Sequence, residues 1–267
     1  MSDELPALPW DRSRRRAVPA RIPLSAERIV DAAYTVLDRE GFEKLSMRQV
    51  AAELGVAVSA LYTHVSSKDE LFELMYIRLF KDWDLPDPDP AHWRRQVADF
   101  ARGGLARLRK HRDLARISMI GVPFSPEVLP QMEQLVTLFR VAGLPDRVAG
   151  AAGDILSTFI DGYAFEENMW ENRRRESAEI SWPEMRASLQ QFFADLPSDR
   201  FPNLVALADH MLPSSEDERF ELAVEIIIRG LASFAEEAAE EAGGRSGGSA
   251  DPGTAGGRGE PDRPGDG

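Results

Sequence analysis

SMRQVAAELGVAVSALYTHVSSKDEL, residues 46–71, is the stretch on which the fold turns. Ser46 precedes Gln49 by three positions, and Ser67 precedes Glu70 by the same interval. At that spacing a serine oxygen accepts from the third amide of a helix while the Glu or Gln reaches back, so a helix opens at each serine. Gly55 ends the first helix, whose Val50, Ala51 and Leu54 face inward. A short helix over 57–64 follows, anchored by Leu61 and Val65. Upstream, Ser25 opens a helix with Ile29, Val30, Ala33, Val36 and Leu37 on one face, ending near Gly41. Downstream, Leu71, Leu74, Met75, Leu79 and Phe80 continue the helix begun at Ser67. Two short helices around a glycine turn, buttressed by longer ones, form the pattern of a helix-turn-helix.

The second helix of such a pair can enter a major groove. With Leu61 turned into the core, Val58, Ser59, Tyr62, Thr63 and His64 are expected to face outward. A methyl contact, two hydroxyls, a phenol and an imidazole suit base edges better than a solvated face, which more often carries Glu, Lys and Arg. Lys68, beside the amides of a helix start, suits a phosphate. On pattern alone, a purely structural helical hairpin remains the alternative.

Composition sets the wider frame. The chain has 267 residues, is 43% hydrophobic and carries a net charge of −13. It has no cysteine, which excludes disulfides, thiolate metal sites and thiol nucleophiles. No uncharged apolar run reaches the roughly 18 residues of a membrane span. The N-terminus lacks the basic start and apolar stretch of a signal peptide, so a cytoplasmic location is expected. The acidity is uneven: residues 1–80 carry a net −1, residues 81–267 a net −12, and Arg12 to Arg28 holds six arginines against one acid. Only the N-terminal end is suited to face a phosphate backbone.

Five segments are expected. Residues 1–22 form a flexible basic arm, which either follows the minor groove or phosphates or is simply a solvated leader. Residues 23–83 form the helix-turn-helix domain. Residues 84–92, with three prolines and three acids (Asp84–His92), form a stiff connector. Residues 93–242 form the effector-binding and dimerisation domain, and residues 90–241 read as five or six helices. Residues 243–267 hold ten of the 20 glycines and no large apolar residue, and are expected to be a disordered tail. Within the large domain, Ser125-Pro126-Glu127 and Ser215-x-x-Glu218 are helix starts. Ile226-Ile227-Ile228 gives the last helix an apolar sector wider than one core face needs. With the segment from Val148 to Tyr163, it is expected to build a four-helix homodimer interface. Arg173–Arg175 is expected as a solvated loop.

The run LSAERIVDAAYTVLDREGFEKLSMRQVAAELGVAVSALYTHVSSKDELFELM, residues 24–75, resembles the DNA-binding domain of TetR-type bacterial transcriptional repressors. The matching elements are the paired alanines of the first helix, the EGF turn, SMRQVAAELGV, and LYTHV followed by SKDEL. The resemblance implies an all-α homodimer that binds operator DNA and releases it when a small molecule enters the larger domain. Position by position, it implies DNA contacts from Ser46, Arg48, Val58, Ser59, Tyr62, Thr63, His64 and Lys68. The remainder resembles the tetracycline-repressor effector domain through LRKHRDLARISMIGVP, residues 108–123, and ILSTFIDGYAFEEN, residues 155–168. Drug repressors of that branch hold a metal–drug chelate with a histidine shortly before the turn. Here Ser118, Met119 and Ile120 occupy that neighbourhood, with Glu166 where an acid helps hold the metal. No metal or other cofactor is therefore expected.

The aromatic set of the large domain points instead to an apolar or aromatic effector with a few polar anchors. The expected lining is Arg116, Met119, Phe124, Phe139, Phe159, Tyr163 and Glu166. A helical enzyme is the rival class. The four histidines lie in four different segments, no HExxH, GxSxG, Walker A or dinucleotide fingerprint occurs, and no catalytic residue is expected. A dimeric ligand-binding module without operator affinity is the second rival.

Overall fold

The computed structural model describes residues 23–81, 83–121, 125–176, 182–212 and 215–246. The basic arm, Phe124 and residues 247–267 of the tail lie outside these. Among the described residues there are helices and no strands.

Three of the N-terminal helices are set by serine caps. Ser25 accepts from Arg28 N at 3.4 Å to start α1 (Ala26–Glu40), and Ser46 accepts from Gln49 N at 3.4 Å to start α2 (Met47–Leu54). Gly55 then adopts φ 64°, ψ 35°, a left-handed conformation that a side chain would strain. Its amide donates back to α2, and the chain turns into α3 (Val58–Leu61). The regular helix stops there, and Tyr62–His64 continue as a turn rather than as helix to His64. Ser67 accepts from Glu70 N at 3.0 Å and opens α4 (Lys68–Phe80). Ile29, Val36, Leu37, Val50, Leu61, Val65, Leu71 and Met75 are fully buried between these helices.

The connector is strapped down. Gln134 donates to Leu85 O at 2.7 Å, Gln96 donates to Asp87 O at 2.7 Å, and Asp89 N donates to Gln96 Oε1 at 2.9 Å. Trp83 stacks on Phe100 at 4.9 Å, with Gly103 and Gly104 beneath its ring.

The larger domain holds α5 (Trp93–Leu108), α6 (Leu114–Ile120), α7 (Leu129–Val141), α8 (Asp146–Glu176), α9 (Trp182–Ala194), α10 (Pro202–Ala206), α11 (Ala208–Met211) and α12 (Glu216–Ser246). Helices α5, α6, α7 and α12 pack on α8, while α9, α10 and α11 pack chiefly on one another. Among the described residues that is eight helices where five or six were expected, because Pro202 and Leu207 break the 200–211 region into single turns. Other boundaries also moved. The chain takes a turn at Pro126–Val128 before α7 starts at Leu129, three residues beyond the expected start at Pro126. Arg173–Arg175 lie within α8, with Arg175 paired to Glu171 at 3.1 Å one turn back, because charge alone does not stop a helix. Helix α12 runs four residues past Ala242.

Candidate functional site

The reading surface lies on α2, α3 and the turn after it. Arg48, Ser59, Thr63 and His64 are exposed, and Tyr62 is 50% exposed. Val58 departs from the expectation: it is half-buried against the core, because the short α3 brings its first residue over the α2 face. Ser46 is also half-buried, its oxygen engaged as the α2 cap. Thr63 donates to Ala60 O at 2.7 Å, which fixes its rotamer. The Lys68 ammonium lies 5.0 Å from the Phe72 ring centroid and 5.9 Å from that of Phe42.

The joint between the domains was not legible in advance. Helix α6 and the turn before it meet α1 and the 3-10 turn Phe42–Lys44 through several polar contacts. Asp113, 5% exposed, accepts from Phe42 N at 3.0 Å and from Asn172 Nδ2 of α8 at 2.9 Å. Its φ of 54° makes it the one non-glycine residue in the left-handed region among those described. Arg116 stacks 4.1 Å from the Phe42 centroid and pairs with Glu43 at 2.6 Å. Arg116 therefore differs from its expected place in the effector lining, because the acid and ring that satisfy it belong to the DNA-binding domain. His111 Nδ1 and Arg112 N both meet the Asp38 carboxylate at 2.8 Å. On α4, Tyr76 lies against Gly121, where an added Cβ would come well inside 3.0 Å of the ring. The sequence carries no specific signal for such a joint, because its contacts pair residues 59–73 positions apart.

The residues expected to line an effector site separate into groups. Phe159 stacks on Phe220 of α12 at 5.5 Å, and Tyr163 meets Phe220 edge-on at 5.1 Å. Phe139 is fully buried beside Gly153, an ordinary core position. Met119 is 56% exposed near the end of α6. Glu166 is held by Arg219 at 2.9 and 3.1 Å, and Arg219 also covers the Tyr163 ring at 4.6 Å. Glu166 is thus a partner of a cation that sequence reasoning passed over. Its neighbour Glu167 turns the other way to Arg109 at 2.5 Å, as adjacent helical positions must. One further acid appears here. Asp161 of α8 is half-buried, and burial pushes its carboxyl up to about 6 despite a hydrogen bond with Ser118 of α6. Its charge and burial together push the Tyr76 phenol up to about 12, burial contributing more. Among the described residues no cluster of three or more His, Asp or Glu could hold a metal, and no helix is long and apolar enough to cross a membrane.

Comparison with known proteins agrees with this layout. Residues 29–75 match the family described as bacterial regulatory proteins, tetR family, and residues 85–234 match the tetracyclin repressor-like C-terminal domain. The transcriptional repressor DrrR1 of Streptomyces coeruleorubidus is 31% identical over 223 residues, 83% of this chain and 82% of that protein. The class E tetracycline repressor protein of Escherichia coli is 30% identical over 146 residues, 54% of this chain and 69% of that protein. The crystal structure of apo ActR from Streptomyces coelicolor superposes with a TM-score of 0.72 at 38% identity, covering 81% of this chain and 99% of ActR. Both halves of the fold and the sequence relatives lead to one assignment: the chain belongs to the TetR family of transcriptional regulators, not to an enzyme family.

Proposed function

We propose that the chain is a repressor that leaves a pseudo-palindromic operator when a small apolar or aromatic molecule enters the effector domain. On this reading residues 23–83 act on DNA, 84–92 connect, and 93–242 bind the effector and a second copy. Arg48, Ser59, Tyr62, Thr63 and His64 read the groove, and Lys68 holds a phosphate. Ser46 and Val58 serve chiefly to position them.

The observation that carries the reading is α6. It touches the entry to the helix-turn-helix through Asp113 and Arg116 and packs on α8, which bears Phe159, Tyr163 and Asp161. A molecule that displaces α6 from α8 therefore changes the angle of the reading helices without touching them. Repression relief is then a difference in affinity between two arrangements, reciprocal between ligand and operator. ActR has been crystallised with actinorhodin and with (S)-DNPA, at 38% and 37% identity to this chain, which supports a small-molecule effector here.

Dimerisation supplies the second half-site. Ile155 of α8 and Leu222, Ile226 and Phe234 of α12 are 40–62% exposed, too many large apolar groups on two neighbouring helices for a free surface. Gly162 and Gly230 on the same helices have open space where a Cβ would stand, which allows close approach of a partner helix. The two reading helices then meet major-groove faces about 34–36 Å apart.

Selection of bound sequences from random DNA, with and without aromatic small molecules, tests the reading. A two-fold symmetric site that loses occupancy when an effector is added is expected. Enrichment of no sequence would overturn it.

A further inference from the structure

A cleft of about 490 Å³ opens on the joint between the domains, away from both the reading helix and the Phe159–Phe220 cluster. We propose that it is a second ligand site, for a small organic anion bearing a carboxylate or a phosphate. It lies between α1 and the end of α4 on one side, and the end of α5 and the start of α6 on the other.

Charge favours an anion. The chain as a whole has an excess of 13 acids over Lys and Arg, yet the lining reverses the balance: Arg78, Lys81, Arg107 and Lys110 face two acids, Asp31 and Asp38. Both acids are already engaged. Asp31 pairs with Arg78 at 2.8 Å, and Asp38 accepts from His111 and the Arg112 amide. Arg107 donates to the carbonyls of Leu79 and Lys81, covering the end of α4, whose partial negative charge would otherwise repel an anion. Lys81 and Lys110 have no carboxylate within 4.0 Å among the described residues. One belongs to the DNA-binding domain and the other to the effector domain.

Shape favours an organic body. Leu79, Leu114 and the Tyr34–His111 ring pair, with centroids 4.4 Å apart, give the cleft an apolar wall. Tyr34 donates its hydroxyl to Met75 O at 2.8 Å, so the ring presents carbon rather than a polar tip. The volume lies within the range of small-molecule sites. An anion held by both lysines ties the two domains at their joint and biases their relative angle, so it is linked through that shared angle to the operator and to the apolar effector alike. Its lining shares no residue with Phe159, Tyr163 and Asp161 of the proposed effector site.

Calorimetry on the full chain without DNA tests this, titrating sodium phthalate and sodium pyrophosphate against sodium chloride at matched ionic strength. Saturable binding of at least one probe, at one site per chain with a midpoint below about 1 mM, is expected. The exposed pair Lys81→Met and Lys110→Met should weaken it about tenfold or more while leaving the melting temperature unchanged. Phthalate alone assigns a carboxylate ligand, pyrophosphate alone a phosphate, and both the shared anion chemistry. No saturable binding of either probe, or equal binding by the double variant, overturns the site. Where an operator complex forms, a bound probe should shift its affinity by about threefold or more; an unmoved affinity removes the coupling but not the site.

Discussion

Replacing Asp113 by alanine should loosen the joint more than any other single change at the surface between the domains. The carboxylate accepts from Phe42 N at 3.0 Å and Asn172 Nδ2 at 2.9 Å, with Arg112 Nε 3.6 Å away. Hydrogen bonds to a charged acceptor contribute about 1.5–3 kcal/mol each, and losing this one strands a backbone amide and a side-chain amide in a nearly closed site. Aspartate also visits the left-handed region more readily than alanine, so φ 54° adds about 1 kcal/mol. Allowing for the two bonds not being additive, the loss is about 4 kcal/mol. At roughly 2–4 °C per kcal/mol for a domain of this size, scanning calorimetry should find the melt lowered by about 8–16 °C. Asp113→Gly relieves the backbone but not the lost acceptor, and should cost about 3 kcal/mol. Asp113→Asn keeps an acceptor for Phe42 N and tolerates the backbone, and should cost about 1–2 kcal/mol. The order Asn, Gly, Ala is the diagnostic, together with a coupling of about 1 kcal/mol or more to Asn172→Ala in a double-mutant cycle. A melt for Asp113→Ala within about 2 °C of wild type would refute the reasoning.

Asp161 gives a pH signature. Its carboxyl is raised from 3.8 to about 6 in the fold, so the folded state holds a proton that the unfolded chain has released between those values, and stability falls as pH rises through that window. Asp161→Asn should remove about 1–2 kcal/mol of this loss, raising the melting temperature at pH 8 and not at pH 4; an equal effect at both pH values would count against a buried charge. Tyr62→Ala should weaken operator binding by about 1–3 kcal/mol in a gel shift while leaving the dimer intact, and unchanged binding would remove this residue from the reading surface. Ile226→Asp, placed on a 62% exposed face of α12, should convert the dimer to monomer in sedimentation at micromolar concentration; a dimer that persists would move the interface elsewhere. Gly121→Ala should drive α6 from the Tyr76 ring at a cost of about 1–3 kcal/mol and alter operator affinity even without effector, whereas a neutral outcome in both assays would show the joint to be more open than described.

The proposed link from effector to DNA runs through Phe42. Arg116 of α6 lies against one side of its neighbourhood and Lys68, at the first position of α4, against another. The proposed phosphate contact and the proposed lever thus share one ring, and Asp113 holds that residue's amide. On the proposed reading, a movement of α6 would reach the operator face through this three-residue turn, with little need to deform α2 or α3.

The amino-acid sequence by itself determined the local architecture of residues 23–81. The hydroxyls of Ser25, Ser46 and Ser67 bond to amides three residues on, and Gly55 turns where only glycine rests easily, so each feature is written within one helical turn of itself. The exposure of Tyr62 follows from the burial of Leu61 for the same short-range reason. Partner choice across the chain was decided only by the tertiary structure. Arg116 lies in an effector-domain helix but is satisfied by Glu43, 73 positions away, and Glu166 by Arg219, 53 positions away. Local periodicity gives the face on which such a side chain emerges, but not which distant helix arrives opposite it. That is set by how the apolar faces of α5 through α12 pack as a whole, and the charges take whatever partners that packing brings within reach.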